Sequence, residues 1–272
     1  MQLFTHIIFI RPKIVSINVS PDGQRYLASV KQRVARPFHL RWLLPFLLKD
    51  NVENWAKTSR GAVIAIAILS AIYCHNPWMV VIGFLPGIEF NWRYPVLVDA
   101  PAMALALLAA VVAPHSIWLA IIISLISGCV KETAPLWAAI YAWNPFLLIG
   151  LVVVGIRWLQ KQGEDVLDEH NLWILQHPIQ ASRMYNKGRW TDPFFMLTPW
   201  GGIILGAGSV SAQVVTALVA GYGQILLATD VVRLYQWAAP VLALGITDYL
   251  PLWVTPFVAL SVIFNPWRGN GG

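Results

Sequence analysis

Ala100 to Val130 read APAMALALLAAVVAPHSIWLAIIISLISGCV, a run without one Asp, Glu, Lys or Arg. A bilayer core of ~30 Å is crossed by about 20 helical residues, so this run holds two membrane helices, 94–113 and 116–131, divided at Pro114. Further charge-free stretches cover 61–88, 133–156, 193–229 and 249–267. No polar helix faces interrupt them, which argues against a large water-soluble core. Composition agrees. Of the 272 residues, 57% are apolar and only 12% charged, where a soluble domain carries about a quarter charged. The expected fold is an all-α, polytopic integral membrane bundle with about seven to nine membrane segments, located in the cell membrane.

The pattern divides the chain into 1–60, a basic amphipathic region on the membrane surface; 61–156, a first helical block; 157–192, a polar loop; and 193–266, a second helical block. From Asp22 to Asp50 the apolar positions follow a helical period, with Pro37 and Pro45 as dividers, as in helices lying at an interface. Residues 78–88 carry Pro86 and Gly87 and read as a bent or re-entrant piece. Asn144-Pro145 breaks 133–157. Of the 14 Trp, Trp78, Trp92, Trp118, Trp137, Trp158, Trp200, Trp253 and Trp267 fall near segment ends, where interfacial anchors sit. Cys74 and Cys129 lie in apolar segments, which disfavours a structural disulfide.

The net charge of +6 is uneven. Residues 1–60 hold ten Lys and Arg against Asp22, Asp50 and Glu53, a net +7. Such an arm beside a membrane points to lipid headgroups or another phosphate-bearing ligand. Nucleic acid is not expected, since no nucleic-acid module is recognisable. The positive-inside rule places this arm in the cytoplasm.

Ionisable groups inside apolar segments are costly, so each is a functional candidate. They are Glu89 with Arg93, Asp99, Lys131 with Glu132, Asp230 with Arg233, and Asp248. Interfacial snorkelling accounts equally for Glu89, Arg93 and Asp248. Asp230 and Arg233 are three apart and share a helix face, so an internal pair is the alternative there. The acidic run Glu164 to His170 offers oxygens to a divalent cation, although a solvated face explains it as well. The histidines have no metal-ligand spacing, and neither a metal site nor another cofactor is expected. P-loop, nucleophile-elbow, zincin and C-x-x-C motifs are absent.

Three stretches, taken in order, resemble the GT-C superfamily of integral membrane glycosyltransferases. Asp22-Gly-Gln-Arg-Tyr26, followed by Arg36-Pro37-Phe-His-Leu-Arg41-Trp-Leu-Leu-Pro45, is similar to the family's first extracytoplasmic loop. Arg93-Tyr-Pro-Val-Leu-Val-Asp99 and Lys131-Glu132 are similar to the start and end of two family spans. Thr229-Asp230-Val-Val-Arg233 resembles a third helix start. In the family a spanning helix precedes the loop, and Leu3 to Ile10 is too short to be one, so the resemblance is to a divergent member. It implies transfer of a sugar from a polyprenyl-phosphate carrier to an acceptor. Asp22 would be the catalytic residue, and Tyr26, Arg36, Arg41, Asp99, Lys131, Glu132, Asp230 and Arg233 would hold substrate. It also implies that residues 20–50 lie outside, against the charge rule. A non-catalytic membrane scaffold, lipid binder or partner subunit is the second expectation, and a transporter the third.

Overall fold

The computed structural model describes residues 17–31, 38–160, 173, 176–186, 192–224 and 231–268. Every regular element among them is helical. Arg36, Asp230 and the acidic run 164–170 lie outside the described residues.

The chain begins with α1 (Pro21–Ala28). The Ser20 hydroxyl accepts from the Gly23 amide at 3.1 Å, and Pro21 takes the first helical position, where its missing N–H costs nothing. A 3-10 turn (Phe38–Leu40) and the short α2 (Leu43–Leu48) follow. The long α3 (Val52–Tyr73) starts at Asn51, whose side chain accepts from the Asn54 amide. Its 22 residues make it long and apolar enough to cross a membrane; the other apolar helices among the described residues are shorter, up to 17 residues.

From there the chain runs back and forth between two ends. A 3-10 segment (Pro77–Phe84) and α4 (Pro86–Arg93) return toward the start of α3, where Ser59 donates to the Asn91 carbonyl at 3.1 Å. Then come α5 (Asp99–Val112), α6 (Ile117–Val130) and α7 (Ala134–Ala142). A 3-10 turn (Pro145–Gly150) leads into α8 (Leu151–Leu159). Within 157–192, expected to be a polar loop, α9 (Pro178–Asn186) is helical; after it come α10 (Pro193–Leu197) with a 3-10 continuation (Thr198–Ser209), and α11 (Ala212–Gly223). The last passes are α12 (Val231–Tyr235) with α13 (Ala239–Tyr249), and α14 (Thr255–Ile263).

The tight turns share one device. At Asn76-Pro77-Trp78, Asn144-Pro145-Phe146 and Asn265-Pro266-Trp267, the Asn side-chain oxygen accepts from the amide two residues on. At the first two the preceding helix ends with a left-handed residue, His75 and Trp143, each at φ 49°. The Asn76 amide then reaches back to the Ala71 carbonyl, and the Asn144 amide to that of Ala139. This is the C-terminal cap that usually takes Gly at the left-handed position.

Passes approach closely at Gly206. A Cβ there would stand 1.8 Å from the Leu242 carbonyl oxygen, so only glycine fits. The core is apolar and aromatic, and two of its members depart from the interfacial role expected of segment-end Trp. Trp137 and Trp200 are fully buried, the first packed on Trp237 and the second on Tyr235 with its indole N–H donated to the Tyr222 hydroxyl. Position in an apolar run does not distinguish the rim of a bundle from its inside. Trp118 and Trp253 are exposed. Both cysteines are free thiols.

Candidate functional site

At the end of the bundle where α3 begins, described candidates that lie far apart in sequence come together. Asp22, in the first turn of α1, is partly exposed. Its carboxylate lies 3.5 Å from Arg25, and also 3.5 Å from Arg233 on α12. One turn later Tyr26 points inward, between the Phe38 ring at 5.2 Å and the Trp55 ring at 6.0 Å. Its hydroxyl accepts from Arg41 Nη1 at 2.6 Å. Burial pushes the Tyr26 hydroxyl well above its ordinary pKa, with the Arg41 guanidinium acting in the opposite direction. Tyr26 is therefore a neutral phenol at any working pH.

Arg41 also forks onto Glu132, which sits between α6 and α7. Nε donates to Oε2 at 2.7 Å and Nη2 to Oε1 at 2.5 Å. This bidentate geometry is the strong form of a charged pair. Burial works to raise the Glu132 carboxyl pKa, but the adjacent guanidinium outweighs it and holds the group below its usual range. Three of the five Arg41 N–H groups are thereby taken by protein acceptors.

Lys131 ends α6, donating its amide to the Ser127 carbonyl, while its ammonium contacts the Asp99 carboxylate and lies 5.2 Å over the Trp237 ring. Both side chains are nearly inaccessible, at 6% and 7%. Asp99 is the first residue of α5, where the helix dipole favours negative charge. Its second oxygen is 3.5 Å from Arg233 Nε, and the Arg233 guanidinium stacks over Phe90 at 5.6 Å. Carboxylates and cations thus alternate from Arg25 through Asp22, Arg233 and Asp99 to Lys131, beside the Tyr26–Arg41–Glu132 group. Buried charge persists only when paired in this way.

A cavity of about 10 Å³, room for one water, lies between Asp99, Arg233, Asn91 and Trp237. Sequence reading passed over Asn91 and Gln236. Asn91 accepts from the Ala100 amide at 3.3 Å and donates to the Gly87 carbonyl, which holds the start of α5 against α4. Gln236 accepts from the Gly87 amide at 2.7 Å and donates to the Pro199 carbonyl. Both are buried amides, Asn91 between Glu89 and Arg93 and Gln236 in an apolar stretch, and neither carries a charge to draw notice.

The expected partnership of Asp230 with Arg233 involves a residue outside the described ones; the described partners of Arg233 are Asp22 and Asp99. Glu89 and Arg93 pair with each other at 3.0 Å, and Arg268 joins Glu89 at 2.9 Å, in a separate group. Asp248 is exposed at the opposite end. Among the described residues no set of three His, Cys, Asp or Glu is placed to hold a metal ion.

No protein-family model, curated protein or solved structure matches this chain.

Proposed function

We propose that this chain is a multi-pass membrane protein whose charged end carries a glycosyltransferase-like site, taking a sugar from a polyprenyl-phosphate carrier. The observation that carries the reading is the meeting of Asp22, Tyr26, Arg41, Asp99, Lys131, Glu132 and Arg233 at one place. The membrane part is supported by α3 and by large apolar side chains left outward at helical spacing: Ile64, Ile68 and Ile72 on α3, and Ile122 and Ile126 on α6. Turned to lipid chains, these side chains bear no hydration cost.

In this reading the accessible carboxylate is Asp22, at 36% side-chain exposure. It takes the proton from the acceptor hydroxyl as the new glycosidic bond forms. The bond from the sugar to the carrier oxygen breaks, and its electron pair leaves with the phosphate. Arg233, 3.5 Å from the carboxylates of both Asp22 and Asp99, is the cation that in this reading meets that phosphate beside the base. Arg41 has a different task from the one its sequence suggested. Fixed to Glu132 and Tyr26, it is a positioning residue that pins α1.

The test is transfer by the purified protein from polyprenyl-phosphate sugars. Asp22→Asn should lower the rate by ~10²–10⁴-fold while the protein still folds and binds carrier. An Asp22→Asn protein with full activity would sink the reading. The second reading is a non-catalytic membrane scaffold or partner subunit. Two observations favour it: the described cavity beside Asp99 has room for about one water, and Arg41 and Lys131 are already paired with Glu132 and Asp99. A parent protein inactive with every such donor decides for it.

A further inference from the structure

We propose that α2, with Lys31, Lys49 and Lys57 around it, is a contact surface for anionic phospholipid headgroups; this rests on the membrane reading above. The helix is Leu-Leu-Pro-Phe-Leu-Leu, without a polar side chain. Leu44 and Pro45 are buried, whereas Phe46 and Leu47 stand out at 68% and 59% exposure. One face therefore packs on the bundle, and the other presents two large apolar groups that water would not favour.

Ammonium groups flank this wedge. Lys49 follows the helix directly and is exposed. Lys31 lies 2.7 Å from Asp50, and Lys57 lies 2.8 Å from Glu53, both in exposed pairs. Exposed pairs of this kind are weak, so a lipid phosphate can exchange for either carboxylate. The region 1–60 also keeps a net +7, an excess that its own acids do not neutralise. Exposed apolar side chains accompanied by exposed lysines are the combination found in interfacial helices on anionic membranes. Among the described residues the opposite end presents His75 and His115 in its turns and Asp248 in the last turn of α13, none of them a Lys or Arg to meet anionic headgroups.

The experiment uses the full chain in phosphatidylcholine vesicles doped with spin-labelled phosphatidylglycerol or spin-labelled phosphatidylcholine. The motionally restricted fraction of each label gives their relative association with the protein. Phosphatidylglycerol should be preferred several-fold at low ionic strength and lose that preference in 1 M salt. Since these lysines carry the preference in this proposal, Lys31→Gln, Lys49→Gln and Lys57→Gln combined should bring the two lipids to parity. His115→Gln at the opposite end should change nothing. These lysines are exposed, so the variants fold, and an unchanged circular dichroism spectrum checks it. A preference that survives the triple change, or none in the parent, overturns the proposal while leaving the membrane reading intact. Release of the parent from vesicles by alkaline carbonate defeats the membrane reading itself, and this proposal with it.

Discussion

Replacing Arg41 removes three hydrogen bonds at once, two to Glu132 and one to Tyr26. Glu132 would then be a largely buried carboxylate without its partner, and breaking such a pair typically costs about 3–5 kcal/mol. Arg41→Ala should lower the detergent unfolding midpoint sharply, and adding Glu132→Gln should recover part of it. Midpoints equal to the parent's would mean that water already screens the pair. The same residue sets an acid limit. Glu132 is held below its ordinary pKa of 4.5, so the folded state binds fewer protons there than the unfolded chain. Its contribution is complete above about pH 4.5 and is lost as pH falls through the depressed folded value. Glu132→Gln should flatten the part of the stability profile that falls away below about pH 4.5.

At the scale of elements, the Asn-Pro-aromatic turns explain how short helices reverse without long loops. The Asn satisfies an amide, Pro fixes the first φ of the next segment, and the left-handed residue before them closes the preceding helix. His75 holds that conformation at a cost of roughly 1 kcal/mol that glycine would not incur. His75→Gly should therefore raise the unfolding midpoint, against the usual direction for glycine near a helix. A lower midpoint would show that the imidazole makes a contact worth more than the backbone strain. The break at Asn144-Pro145 was legible because proline forbids helix continuation. The left-handed Trp143 was not, since nothing in a Trp side chain announces positive φ.

Among the described residues, cations gather at one end. Arg25, Lys31, Arg41, Lys49, Lys57 and Arg60, together with Arg93, Lys131, Arg157, Arg233 and Arg268, are tied by contacts to the end where α1 and α2 sit. The glycosyltransferase reading needs this end outside the cell, and the positive-inside rule prefers it inside. A cysteine introduced at Ser29, just after α1, should react with an impermeant maleimide in intact cells if the first holds. Labelling only after permeabilisation would leave the non-catalytic reading.

The all-helical character was determined by the sequence alone, because charge-free runs separated by Pro and Asn report local backbone preference and hydrophobicity without need of a partner. The ionisable residues inside those runs were equally visible, since a charge in an apolar stretch stands out wherever it folds. Their partners were not. Lys131 and Asp99 are 32 positions apart, and Arg41 and Glu132 are 91 apart. No periodicity links such residues; only the order in which helices pack decides which carboxylate a buried cation meets. The same holds for Trp137 and Trp200, whose burial depends on neighbouring helices rather than on their place in a run. Local physics is written along the chain, whereas the pairing of buried charge is set by tertiary contact.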